Sequence, residues 1–388
     1  MVDGAAAPEV VEPDWLREGR DRAKALEFEL PTAKQKGWEF TDLSDLDLDG
    51  YSEAIARVDG IEAPDGAIVM PLAEAAARHP ELVRDRLGEV VPASDIFTAR
   101  NESRWRDGVL IHVPDGVQLT EPVRLTVTGG DREEIEWRAL VVIGEDAEAE
   151  VWERYESDGE ALFNGVVELA VGDRANLRYV CEQELSDRSW VFATQRAEVG
   201  RDANLDWVAL GFGSAHGKVR METKLAGRGS SARVTGAYAG HGAQRLDYDT
   251  TQEHAAEDTV SDLAFRGVLG GHATAVWRGM IRVDPGAQRT DAFQESRNLL
   301  LSTDAHADAI PGLEIEADDV RCTHAAAIAQ VDKEQLYYLM ARGLDREGAT
   351  RLIIDGFMQE LVERFGEGPV RERLAGALER RLEAILDQ

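Results

Sequence analysis

The hydrophobic pattern changes character twice along the chain, and the changes divide it into three parts. From Asp14 apolar residues recur at helical spacing, with Leu16, Ala23 and Leu26 as a stripe and Asp14 placed as the N-cap. Leu30-Pro31-Thr32 ends that helix. The stretch 71–89 reads as helical again, restarting at His79-Pro80 because proline suits a first helical turn. Residues 1–12, mostly Ala, Pro, Glu and Val, read as a frayed tail, and 1–105 as a mainly helical domain. From about Val109 short strand-like runs alternate with turn residues. After Val331 helical spacing returns. Ala349, Ile353, Phe357, Leu361 and Phe365 form one stripe, and Leu374, Leu378, Leu382 and Ile385 a second, with Gly366 and Gly368-Pro369 between them. The expected domains are 1–105, 106–330 and 331–388, the last a helical appendage capping the strands.

The strand region carries a repeat. Ile143-Gly144-Glu145-Asp146-Ala147, Val171-Gly172-Asp173-Arg174-Ala175 and Val199-Gly200-Arg201-Asp202-Ala203 place their glycines 28 residues apart. Apolar positions keep the same register: Ala149, Leu177 and Leu205, then Val151, Tyr179 and Trp207. A fourth unit, Gly229-Ser230-Ser231-Ala232, follows after 29. Each unit has room for two strands, such as 163–170 and 175–183. Turn glycines at a fixed period mark stacked coils, with glycine supplying a positive φ at each corner. The expected core is a parallel β-helix over about 109–328. A β-sandwich also accommodates many short strands, but it does not require a register shared by successive units.

Composition narrows the partners. The net charge is −31, from 74 acidic against 43 basic residues, and lysine occurs only at 24, 34, 36, 218, 224 and 333. Such a surface repels nucleic acid and anionic lipid. Acidity with so little lysine suits a halophilic interior, where salt screens the repulsion. No stretch approaches the roughly 18 uninterrupted apolar residues of a spanning helix, and the N-terminus has no basic segment followed by an apolar run. Two cysteines make no disulfide framework. The expected location is the cytoplasm.

Several motifs carry candidate chemistry. Gly213-Ser214-Ala215-His216-Gly217-Lys218-Val219 is one residue short of a phosphate loop, lacks its hydroxyl and lies among strands, so a nucleotide site is not expected. His241 and His272 fall at glycine-rich turns, where an exposed, inert histidine is the ordinary outcome. Glu253, His254, Glu257 and Asp258 have the makings of a divalent-ion site, although solvated loop charge fits as well. Cys322 and His324 stand two apart on a strand and so share a face, with Asp318 and Asp319 just before them. Thiolate, imidazole and carboxylate are metal-ligand chemistry. A small buried cysteine beside a satisfied core histidine is the competing reading.

The C-terminal third carries Leu299-Leu300-Leu301-Ser302, Pro311-Gly312-Leu313-Glu314-Ile315, Asp318-Asp319-Val320-Arg321-Cys322-Thr323-His324 and Gln335-Leu336-Tyr337-Tyr338-Leu339-Met340-Ala341-Arg342-Gly343. In these four motifs the chain resembles the SufB/SufD family of the SUF iron–sulfur cluster assembly system, and within it the SufD-like members. Leu30-Pro31-Thr32-Ala33-Lys34, with Trp38, Thr41, Asp42 and Leu43, is similar to the family's N-terminal motif, and 107–114 to its first strand. Ala325-Ala326-Ala327 departs from the Gly-Ala-Thr usual after the histidine, and Lys36 stands where glutamate is usual. Residues 298–310 lack the additional cysteine of SufB-like chains, which favours the SufD-like side. The resemblance implies a right-handed parallel β-helix flanked by helical domains, acting as a non-catalytic scaffold. It implies pairing with a SufB-like subunit and docking of a SufC-type ABC ATPase on the C-terminal helices. It further implies a transient nascent Fe-S cluster at the shared interface, with His324 as the metal ligand, Cys322 beside it and no tightly bound cofactor in the isolated chain. The alternatives are a homodimeric scaffold, a β-helix carbohydrate-active enzyme with paired carboxylates and a divalent-ion store at 253–258.

Overall fold

A computed structural model of the chain describes residues 11–365 and 368–386; residues 1–10 of the expected tail, and Gly366, lie outside the described residues. The centre is a β-solenoid of about 8 turns. Successive strands alternate between a ten-stranded and a nine-stranded sheet. From Asp107–Val113 to Arg321–Gln330 each strand pairs in parallel with the strand two further along the chain. One coil therefore takes up one repeat. Ala149, Leu177 and Leu205 are in register, as are Val151, Tyr179 and Trp207, and all six are buried in the core between the sheets. The expected pair of strands per unit is present as Ala161–Val171 and Asn176–Glu184.

The repeat glycines serve close approach rather than a positive φ. A Cβ on Gly144 would lie 2.5 Å from the Asp115 nitrogen, and one on Gly172 2.8 Å from the Ile143 carbonyl oxygen. Positive φ falls two residues later, on Asp146, Arg174 and Asp202 at 58°, 57° and 55°. The fourth unit is correspondingly two residues out of step. Gly227, whose Cβ would meet the Arg201 nitrogen at 2.0 Å, holds the close-approach place, and Gly229, with φ 75°, the left-handed one.

The N-terminal part mixes helices with strands. The helix Asp14–Lys24 is preceded by Pro13 rather than Asp14 as its N-cap, and Leu26 falls beyond it and is exposed. Helices Leu72–Arg78 and Pro80–Val83 flank the expected restart. Ile96–Arg104 begins with a capping box in which Asp95 Oδ1 accepts from the Thr98 amide. Two strands complete the first coil: Arg57–Glu62 lies antiparallel to Val123–Gly129, and Ile68–Pro71 antiparallel to Asp107–Val113. The loop 37–42 is strapped across the ten-stranded sheet. Trp38 stacks on Phe97 at 5.4 Å and lies under the Arg220 guanidinium. Thr41 donates to Asp247, and Arg278 Nη2 donates to the Gly37 carbonyl at 2.7 Å.

The C-terminal helices do not cap the stack. Arg346–Val362 and Pro369–Leu386 lie on the outer face of the nine-stranded sheet. There Ile354, Met358, Leu361, Leu374, Leu378 and Leu382 cover the outward apolar patch of Val180, Val208, Ala237, Ala264 and Val268. That patch draws the helices to the side of the solenoid, and the far end stays open.

Candidate functional site at the open end of the solenoid

The last strands of the two sheets, His306–Ile315 and Arg321–Gln330, each have one neighbour only. Cys322 is in register with Ala292 and His324 with Gln294 of the coil beneath; both lower residues are fully buried inside the solenoid. Cys322 and His324 thus stand together on the lumen side of their strand, as the alternation requires. Cys322 is half-buried against Ile281, Val283, Ala287 and Ala292. His324 is exposed because no further coil covers it. Among the described residues its ring forms no hydrogen bond or ion pair. Partial burial, and secondarily the Asp291 carboxylate, push the Cys322 thiol up, which leaves it less of the thiolate that a metal takes. His324 is the more available donor.

The floor beneath His324 is polar. Gln294 Nε2 donates across the lumen to the carbonyls of Gly279 and Gly312, both at 3.2 Å, while its Oε1 is buried without a partner. The rim is apolar, with Ile310, Leu313, Ile315 and Ile328 all exposed. Neither Gln294 nor the rim was picked out from the sequence. The signal was a polar residue in an inward register, visible only once the coils are aligned. Ala325 lies inside the regular strand and has no positive φ, so alanine in the place of glycine is accommodated there.

The other candidates resolve differently. Asp318 and Asp319 are exposed on the corner before the strand. Among the described residues no group of three or more His, Cys, Asp or Glu side chains converges to hold a metal ion. The 253–258 group is dispersed. His254 points into the core, bonded to Thr259 Oγ1 and Ser261 Oγ at 2.8 Å each, Glu253 faces Arg196, and Glu257 and Asp258 pair with Arg289. A divalent-ion store there has no basis. Lys218 of the phosphate-loop look-alike is buried between Asp247 at 3.0 Å and Asp249 at 2.7 Å. His241 is buried, with Nε2 3.1 Å from Asp187, and His272 is exposed. The second cysteine, Cys181, lies in the lumen with its thiol pushed by burial up to about 12.

A second surface lies on the C-terminal helices. Tyr337 and Leu352 are 75% and 51% exposed, next to exposed Tyr338, Met340 and Leu344. A shallow depression of about 550 Å³ runs between the helices Lys333–Ala341 and Arg346–Val362, floored by Leu339 and Ile353. No helix among the described residues is long and apolar enough to cross a membrane.

The molecule is thus a solenoid with one open end, an exposed imidazole at that end and a helical flank. Comparison with known proteins gives this architecture its class. Residues 126–357 match the SUF system FeS cluster assembly SufBD core domain, and 49–125 the SufBD protein N-terminal region. The chain is 32% identical to the iron-sulfur cluster assembly SufBD family protein Rv1462 of Mycobacterium tuberculosis, over 92% of this chain and 90% of that one. It is 28% identical to the iron-sulfur cluster assembly protein SufD of Bacillus subtilis, over 96% and 95%. The chain belongs to the SufBD family of iron–sulfur cluster assembly proteins.

Proposed function

We propose that the chain is a SufD-type, non-catalytic scaffold subunit of a cytoplasmic SUF complex. It pairs through the open solenoid end with a SufB-like subunit and presents His324 to a nascent iron–sulfur cluster on the shared boundary. The observation that carries this reading is the placement of His324: exposed, unpaired, on a terminal strand with no neighbour beyond it. One imidazole and one thiol do not complete an iron site, so the remaining donors come from the facing chain. The cluster is cargo, handed on after assembly. The aromatic and aliphatic patch around Tyr337, Tyr338 and Leu352 is the docking face for a SufC-type ABC ATPase. Strand Arg321–Gln330 leads into helix Lys333–Ala341 within three residues, which gives ATP-driven movement of the helices a short path to His324. The test is reconstitution with the SufB-like and SufC-type partners. His324→Ala is expected to fold and assemble normally while iron and sulfide loading falls at least tenfold; unchanged loading removes His324 from the mechanism.

A further inference from the structure

The helix Asp14–Lys24 packs against the helix Ile96–Arg104, and a cleft of about 790 Å³ opens between them and the residues that follow each helix. Its lining gathers five cations, Arg20, Lys24, Arg100, Arg104 and Arg106, against three carboxylates, Glu12, Glu27 and Glu53. That balance is the reverse of the chain's own, with 74 acidic residues against 43 basic ones. The guanidinium groups are gripped from behind. Glu134, 2% exposed, accepts from Arg100 Nε at 3.0 Å and lies 3.5 Å from Arg104 Nη1, which also reaches Glu53 at 3.2 Å. Burial, and then the Glu134 carboxylate, push Glu136 well up, so this neighbour of Arg100 adds little negative charge. Arg20 donates from Nε to Glu12 at 2.5 Å and lies 4.2 Å over the ring of Trp105, whose buried indole N–H has no partner among the described residues. In front, donors stay unspent. Among the described residues Arg100 Nη1, Arg104 Nη2 and both Nη groups of Arg20 carry no hydrogen bond, and exposed Lys24 and Arg106 no ion pair. Of the lining carboxylates only Glu27 is there without a cation. Much of the remaining lining is apolar, with Leu26 and Phe28 exposed and Ile96 half-buried.

We propose that this cleft binds a small organic phosphate, a phosphate monoester on an apolar or ring-shaped body. Guanidinium forks match phosphate oxygens in geometry, and a phosphate offers three acceptor oxygens to donors arriving from Arg20, Arg100 and Arg104. Because Glu134 and Glu12 already fix those side chains, little freedom is lost when a ligand arrives. The volume falls in the range of small-molecule sites, roughly 300–1,000 Å³, and leaves room for a body beyond the phosphate itself. Leu26, Phe28 and Ile96 give that body an apolar surface to cover. The chain's charge of −31 repels a polyanion, which keeps the ligand small. The site uses no residue of the open solenoid end or of the C-terminal helices, so it stands apart from cluster assembly and from His324.

The test is calorimetric titration of the full chain, at the lowest salt at which circular dichroism shows it folded. The probes are AMP and phenyl phosphate as monoesters, with adenosine and inorganic phosphate as their parts. At least one monoester is expected to bind saturably, with AMP at least about tenfold tighter than either adenosine or inorganic phosphate if it is the better of the two, and phenyl phosphate at least about tenfold tighter than inorganic phosphate otherwise. Lys24 and Arg106 are exposed and unpaired among the described residues, so the variant K24Q/R106Q keeps the fold. It should weaken the better monoester by at least about tenfold. The variant K36Q/R84Q removes the same charge from exposed positions outside the cleft and should weaken it by less than about threefold. Absence of saturable binding by both monoesters overturns the proposal. Adenosine binding as tightly as AMP removes the anion from it, and inorganic phosphate binding as tightly as the better monoester removes the organic body. An equal loss in K36Q/R84Q assigns the effect to the field of the whole chain and overturns it as well. No cluster takes part, so these results are read independently of the loading assay on His324→Ala.

Discussion

Burial separates the histidines of this chain. His254 lies in the core between two hydroxyls, and loss of solvent pushes its pKa down to about 4. Unfolded, the same ring titrates near 6.5. Below that pH the unfolded chain binds a proton that the folded chain refuses, so stability falls as pH drops from about 6.5 to about 4, by about 3 kcal/mol from this group. Urea midpoints for the wild type should drop more steeply across that window than those of His254→Gln; parallel slopes would assign the loss to other groups. Cys322 differs from His324 in being half-buried with a raised thiol. Cys322→Ser should therefore lower cluster loading by no more than about threefold, far less than His324→Ala, whereas an equal loss would make the thiol a ligand of the same rank. The shared face of Cys322 and His324 was legible in the sequence because strand alternation fixes it. The exposure of one and the half-burial of the other were not, since both depend on where the stack stops. Asp318 and Asp319, adjacent in sequence, drop out because they belong to a corner and not to the strand.

Among the elements, the coil is the unit whose signature the sequence carries most plainly. Its period and inward apolar rows appear in the register of Ala149, Leu177 and Leu205. The role of its glycines emerges only from the distance to the coil below. Gly172→Ala forces a Cβ to 2.8 Å from a backbone carbonyl and should cost about 1–3 kcal/mol in denaturant unfolding. Gly356→Ala is the contrasting case: the site is an exposed helix interior with nothing within 4 Å, so stability should rise by about 0.5–1 kcal/mol. Loss of stability in Gly356→Ala would overturn the reading of this position as open helix surface. The strands Arg57–Glu62 and Ile68–Pro71 were missed because their pattern is weak on its own. Arg57–Glu62 is almost wholly exposed and takes its order from the solenoid edge it covers. The C-terminal helices were visible from their stripes, but their side-on position depends on an apolar outer patch spread over several strands.

For the whole molecule, a charge of −31 is carried on a frame stitched by arginine. Arg178 bridges Glu150 at 3.1 Å and Asp206 at 2.8 Å, and Arg233 takes Asp206 from the next coil at 2.6 Å. A planar fork spans carboxylates on neighbouring coils, which lysine does less well, and this accounts for part of the arginine bias. Many other carboxylates remain in solvent, so mutual repulsion should be relieved by salt. The melting temperature is expected to rise when KCl is raised from about 0.1 M to about 2 M, over which screening lengths shrink several-fold; a flat or falling curve would tie the acidity to a binding face instead of to a saline interior.

The antiparallel strands laid over the first coil have a consequence for how this shape can grow. Stacked coils are natural building blocks for fibres, since each exposed rung invites another. Here Arg57–Glu62 and Ile68–Pro71 run antiparallel over the first coil, whereas the last coil ends on parallel rungs. The two termini therefore offer unlike edges, and a copy stacking in parallel on the last rung finds no matching rung at the first. That reversed pair is the interruption that an unbroken repeat would lack, and it works against head-to-tail growth into a fibre.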